Sequence, residues 1–160
     1  MVGAIDVRGE KAKDTAPTAT LAIEASDHAF KAPAEVNAGK ATIALKNIGK
    51  EAHFAGLIRV PDGLTYEAFT KILLAPPPAA TPAAAATPRP SPTAGSTGAA
   101  TAAAAPSSGV SGGVGALSAG GQAWSITDLK AGTYAIVCFV PDAESVPHTA
   151  RGMLSKLTVK

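Results

Sequence analysis

The sequence uses several residue types sparingly, and each scarcity excludes a class of structure or function. With one cysteine in 160 residues, the chain cannot form an internal disulfide bond. The net charge is only +2 and its Lys and Arg are scattered, which excludes the concentrated basic surface of a nucleic-acid-binding protein. No apolar run reaches the roughly 18 residues of a membrane-spanning helix. The first residues also lack the apolar stretch of a signal peptide, which fits a mature or a recombinant N-terminus equally well.

The stretch from Pro76 to Gly113 forms the clearest compositional boundary. It consists mainly of Ala, Pro, Ser, Thr and Gly, with one charge at Arg89 and one large aliphatic residue, Val110. Such a composition cannot bury enough apolar surface to offset its chain entropy, so residues 76–113 are predicted to be a disordered or extended insertion. We therefore expect one domain over residues 1–160, with an N-terminal segment 1–17 and a core built from 18–74 and 115–160.

Both flanks of the insertion carry the alternating apolar pattern of β-strands, as in Leu21, Ile23 and Ala25. Strands are predicted at 20–25, 40–47, 53–60, 122–129, 132–140 and 153–160. One short helix is predicted over 65–75, capped by Thr65, with an apolar face. That face comprises Leu64, Ala68, Phe69, Ile72 and Leu73. Short strands separated by glycine-containing turns are typical of an all-β sandwich or barrel.

The segment CFVPDAESVPHTARGM, residues 138–153, concentrates the scarce side chains. It holds the only cysteine, one of three histidines and one of two methionines. A thiolate, imidazoles and a thioether form a soft ligand set that favours copper over magnesium, calcium or manganese. His53 opens a predicted strand and is the natural second imidazole, whereas His28 is interpreted as structural or exposed. Taken one at a time, Cys138 could equally be a small buried apolar residue, His53 a hydrogen-bonded strand-end histidine, and Met153 a core residue.

The order of these residues resembles a known family, the type 1 (blue) copper cupredoxins of the plastocyanin and azurin group. The residues that carry the resemblance are Asn47-x-Gly49-x-x-x-His53, Tyr134-x-x-x-Cys138 and His148-x-x-x-x-Met153 before a closing strand. The stretch SDHAFKAPAEVNAGK is also similar to bacterial cupredoxin-like domains. The resemblance implies a Greek-key β-sandwich with copper cycling between Cu(I) and Cu(II). It implies His53, Cys138 and His148 as equatorial ligands, Met153 as the axial ligand, and an exported (periplasmic or extracellular) location.

Two features differ from the family pattern. Nine residues separate Cys138 from His148, a longer excursion than the family uses, and we expect it to make the site more accessible to water. We expect residues 142–145 to form an exposed turn within it. Phe54 follows His53 where many members have a polar residue, although its backbone N–H can still donate to the Cys138 sulfur.

The leading functional prediction is one-electron transfer by a non-enzymatic, monomeric copper protein. The resemblance places a transient redox protein partner near the imidazole edge of His148, with Val146 and Pro147 as apolar neighbours. Neither a nucleic-acid partner nor a transmembrane segment is expected. Two alternatives remain open at this stage: a copper delivery or buffering module, and a metal-free adhesion or partner-binding domain on a Pro-rich stalk.

Overall fold

The computed structural model describes residues 15–75 and 110–160. These residues form nine strands, one α-helix and one short 3-10 helix. The strands are β1 (Leu21–Ser26), β2 (Ala29–Lys31), β3 (Glu35–Val36), β4 (Gly39–Asn47), β5 (His53–Arg59), β6 (Val110–Leu117), β7 (Gln122–Leu129), β8 (Gly132–Val137) and β9 (Leu154–Val159). The helices are α1 (Tyr66–Leu74) and the 3-10 helix His148–Arg151.

The strands form two mixed sheets that enclose one core. The first sheet has the order β2-β1-β4-β7 and the second β3-β9-β8-β5-β6. β1 pairs with β4 in parallel, and β3 with β9, whereas the other pairs are antiparallel. The predicted alternation is confirmed in β1, where Leu21, Ile23 and Ala25 are buried between the sheets. The architecture confirms the prediction of an all-β sandwich with one short helix.

Three strands escaped sequence reasoning, namely β2, β3 and β6. β6 begins at Val110, so the predicted insertion 76–113 is wrong at its C-terminal end, and residues 76–109 lie outside the described residues. The sequence VSGGVGAL offers little apolar alternation, but glycine lets its backbone approach β5 closely. Gly113 has a φ of +142°, and a Cβ there would collide with the carbonyl oxygen of Ala55. The strand is therefore set by backbone pairing and not by side-chain pattern.

The helix begins where predicted, because the Thr65 side chain accepts a hydrogen bond from the N–H of Ala68 at 3.2 Å. Its predicted apolar face, however, is only half-buried: no residue of α1 is fully buried, and Ile72 is 64% exposed. The helix rests outside the sandwich, mainly against β8, and the Lys156 ammonium of β9 lies 5.8 Å from the centre of the Tyr66 ring. Within the described parts of the chain, no helix has the length and apolar character needed to cross a membrane.

Candidate metal centre

Three potential ligand atoms converge at one end of the sandwich. His53 is the first residue of β5, and Cys138 follows directly after β8. Because β5 and β8 are antiparallel neighbours in register at Gly56 and Val137, the start of one strand lies beside the end of the other. His148 reaches the same place from the 3-10 helix. Its Nδ1 lies 3.1 Å from Nδ1 of His53 and 3.5 Å from Sγ of Cys138, and all three side chains are fully buried.

The Cys138 sulfur is held by backbone donors. The N–H of Phe54 donates to Sγ at 3.4 Å, as predicted from the sequence. Burial raises the pKa of the thiol, while the N–H groups of Phe54 and Val140 act in the opposite direction. The thiol is therefore protonated near neutral pH when no metal is bound, and a metal ion has to displace that proton to bind the thiolate.

The long excursion between Cys138 and His148 is closed, in contrast to the expected open loop. Pro141 and Pro147 face each other in an isolated antiparallel bridge. The Asp142 carboxylate accepts the N–H groups of Glu144 at 2.8 Å and Val146 at 2.9 Å, and only 9% of its side chain is exposed. Asp142 therefore organises the loop from within, and the prediction that residues 142–145 form an exposed turn is wrong for Asp142.

The same loop is anchored to Cys138 by main-chain contacts. The carbonyl of Cys138 accepts hydrogen bonds from the N–H of Thr149 at 2.9 Å and from its hydroxyl at 2.8 Å. The N–H of His148 donates to the carbonyl of Val140 at 2.9 Å. These bonds return His148 to the sandwich and bury it, so the predicted water-accessible site is not what the structure contains.

Met153 lies in the interior directly after the 3-10 helix. Its side chain is fully buried and belongs to the same core cluster as Cys138. Its N–H donates to the carbonyl of His148 at 2.9 Å, which ties the two residues together through the backbone. The assignment of Met153 as an axial ligand stays a prediction.

The spacing Asn47-x-Gly49-x-x-x-His53 has a structural explanation. Asn47 is fully buried, and its side-chain amide donates to the carbonyls of Glu51 at 2.7 Å and Leu117 at 2.9 Å, while its oxygen accepts the N–H of Gly49 at 2.9 Å. A Cβ at Gly49 would lie 2.8 Å from Nε2 of His53 and would collide with Asp27. Asn47 thus shapes the turn that delivers His53, and Gly49 leaves room for the imidazole.

Carboxylates lie behind the outer nitrogens of both histidines, and sequence reasoning missed them. Asp27 Oδ1 is 3.4 Å from Nε2 of His53, and Glu51 Oε2 is 2.9 Å from Nε2 of His148. Burial lowers the pKa of His53 more than the hydrogen bond with Asp27 raises it, so this imidazole is neutral and able to bind a metal near neutral pH. The one local hint of these carboxylates in the sequence was Glu51, which stands two positions before His53.

The outer edge of His148 is covered, which differs from the exposed edge that the family resemblance implied. The rings of His28 and His148 meet edge to face with centroids 5.2 Å apart, and Glu51 lies between His28 and His148. His28 is half-exposed, as interpreted from the sequence, and it lies on the outer side of His148, away from the group formed with Cys138.

The residues at the centre fit a transition-metal ion. Nδ1 or Nε2 of His53 and His148 and the Sγ of Cys138 all lie within 4.8 Å of one another. Two imidazoles and a thiolate, all buried, form a donor set that suits copper. Carboxylates behind metal-binding histidines are a common means of holding the ring orientation.

Comparison with solved structures shows where this architecture occurs. Dithionite-reduced auracyanin from Roseiflexus castenholzii superposes with a TM-score of 0.51 at 19% identity, over 91% of this chain and 99% of that one. Auracyanin A, described as a "blue" copper protein from the green thermophilic photosynthetic bacterium Chloroflexus aurantiacus, gives 0.48 at 20% identity, over 87% and 96%. Reduced rusticyanin gives 0.43 at 17% identity, over 88% and 77%.

No protein-family model matches the chain, and no curated protein sequence does so. At these sequence identities the comparison shows similarity of fold alone. The evidence for that similarity is the superposition on the auracyanin from Roseiflexus castenholzii. The two mixed sheets, the converging His53, Cys138 and His148, and this superposition agree with the resemblance seen in the sequence. The chain therefore has a cupredoxin-like fold, which it shares with this auracyanin.

Proposed function

We propose that this protein transfers single electrons through one copper ion, with His53, Cys138 and His148 as equatorial ligands and Met153 as the axial ligand. The observation that carries the proposal is the convergence of two imidazole nitrogens and one sulfur, all fully buried, at one end of a rigid sandwich. Copper, when bound, supplies the change between Cu(I) and Cu(II). Thiolate and thioether suit Cu(I), and imidazole tolerates both states.

The chain's own residues keep this site from rearranging. Asn47 holds the turn before His53, and the Cys138 carbonyl anchors Thr149 beside His148. The Phe54 N–H stabilises the thiolate after its proton has passed to solvent. A ligand set that moves little between the two oxidation states allows fast electron transfer, because little reorganisation accompanies each step.

The closed loop supports electron transfer over copper delivery or buffering. A delivery module needs ligands that a partner can reach, whereas His53, Cys138 and His148 have no exposed surface here. We further propose that the protein works as an exported monomer and meets a redox protein at the loop above His148. Pro147 is exposed there and Val146 is half-buried, which suits a small transient contact.

Titration of the metal-free protein with Cu(II) tests the proposal. We expect one equivalent to bind and an intense thiolate-to-copper band to develop in the visible spectrum. A reductant should bleach this band and an oxidant restore it. Copper that binds without the band would point to a site that does not use Cys138. If the protein binds no stoichiometric copper, the proposal is wrong, and the metal-free partner-binding domain is the interpretation that remains.

Loosening the loop should accelerate loss of copper. Asp142→Ala removes the acceptor for two backbone N–H groups and for the Nε of Arg151, which lies 2.8 Å from the carboxylate. We expect a chelator to strip copper from this variant several-fold faster than from the wild type. Asp142→Asn is the matched control, since its Oδ1 can still accept both N–H groups. Equal rates for Asp142→Ala and the wild type would show that the loop does not limit release.

A further inference from the structure

A second group of donor atoms lies on the outer side of His148. Its Nε2 is 2.9 Å from Oε2 of Glu51, and the same oxygen is 3.8 Å from Nε2 of His28. Ligand atoms of the three residues all lie within 4.8 Å of one another. The copper proposal uses only the inner nitrogen of His148, with Glu51 holding the ring, and it gives His28 no role.

Two of these atoms are buried and have only each other as a partner. Among the described residues, His148 Nε2 and Glu51 Oε2 have no partner other than each other, across the 2.9 Å that separates them. The His148 side chain is 1% exposed, so water has little access to its nitrogen. Buried polar atoms with so few partners call for an explanation, and an ion bound between them would supply one.

We propose that His28, Glu51 and Nε2 of His148 form a second site, for a divalent transition-metal ion such as Zn²⁺. Two imidazole nitrogens and one carboxylate oxygen are ordinary zinc ligands. Zinc bonds of about 2.0–2.1 Å in a tetrahedron separate neighbouring donors by about 3.3 Å. The distances from Glu51 Oε2 to Nε2 of His148, 2.9 Å, and to Nε2 of His28, 3.8 Å, lie on either side of that value.

The surroundings provide access and a fourth position. The side chains of His28 and Glu51 are 41% and 39% exposed, so an ion can reach them from solvent. They line an open concavity together with Asp142, Ala143, Glu144 and Arg151, where a water molecule can complete the coordination. With copper on Nδ1, Nε2 of the neutral imidazole carries a proton, which the second ion would displace to solvent, so that His148 would bridge the two ions as an imidazolate.

The second site adds a means of regulation that rests on the proposed function. His148 would offer Nδ1 to the inner ion and Nε2 to the outer one, so the two ions would share one imidazole. A cation on the far side of the ring disfavours the more highly charged Cu(II) state. We therefore expect Zn²⁺ at the outer site to raise the reduction potential of the copper centre.

The experiment is a titration of Cu(II)-loaded protein with zinc chloride, followed by calorimetry, elemental analysis and the visible spectrum. The wild type should take up one further equivalent of Zn²⁺ with its copper band retained. His28→Asn removes the imidazole, and asparagine tolerates the φ of +62° found at this position. This variant should bind the added Zn²⁺ at least about tenfold more weakly. Glu144→Gln, at an exposed carboxylate of the same concavity, should bind as the wild type does.

Three results would overturn the second site. These are no further zinc in the wild type, equal zinc affinity in the wild type and His28→Asn, or loss of the copper band as zinc enters. Should the protein form no copper band at all, the same titration on metal-free protein remains decisive. The wild type should then bind one equivalent of Zn²⁺ more than His28→Asn does, so failure of the copper proposal and failure of the second site are distinguishable.

Discussion

The Cys138→Ser variant is expected to lose the intense visible band of the copper-loaded protein completely. The band requires charge transfer from a thiolate to Cu(II), and Cys138 supplies the only sulfur of that kind in the sequence. Serine keeps the size of the side chain, so the surrounding pocket should persist. Visible spectra at one equivalent of Cu(II), together with the copper content, give the measurement.

Met153→Leu is the control for this result. The weak axial sulfur is not the source of the band, so the variant should keep it. Its reduction potential should rise, because a donor that stabilises Cu(II) has been removed. Equal loss of the band in both variants would contradict the assignment of one equatorial thiolate and one axial thioether.

Asn47→Ala is expected to lower the free energy of unfolding by about 2–4 kcal/mol. The change removes the donor to the carbonyls of Glu51 and Leu117 in a buried turn, and it leaves the N–H of Gly49 with only the Ala25 carbonyl at 3.2 Å. Unsatisfied buried polar groups cost about 1–3 kcal/mol each, and partial relaxation reduces the sum. Because the same turn delivers His53, copper affinity should fall as well. Urea unfolding of the metal-free variant measures the first effect.

Asn37→Ala provides the comparison for Asn47→Ala. Asn37 is exposed, and a surface change of this kind usually alters stability by less than about 0.5 kcal/mol. Comparable unfolding midpoints for the two variants would show that the Asn47 hydrogen bonds do not support the turn. A large loss of stability with unchanged copper affinity would separate the turn from the positioning of His53.

Much of the strand content could be predicted from the sequence because alternation is a local property. Leu21, Ile23 and Ala25 face the core for the simple reason that neighbouring side chains of a strand point to opposite faces. β6 could not be predicted in this way, since its glycines allow close backbone pairing with β5 but carry no apolar pattern. The position of α1 could not be predicted for a related reason. Periodicity indicates an amphipathic helix, but it does not tell which surface, if any, covers the apolar face.

The sequence by itself determined which side chains are able to bind a soft metal. Cysteine, histidine and methionine are rare in this chain, and their order around Cys138 leaves few candidates for the metal ligands. Only the tertiary structure decided what surrounds them. Glu51 and His28 meet His148 across about a hundred residues of chain, and Asp142 closes a loop that looked open. Such contacts depend on strand pairing and loop closure between distant segments, and no local pattern of residues encodes those distances.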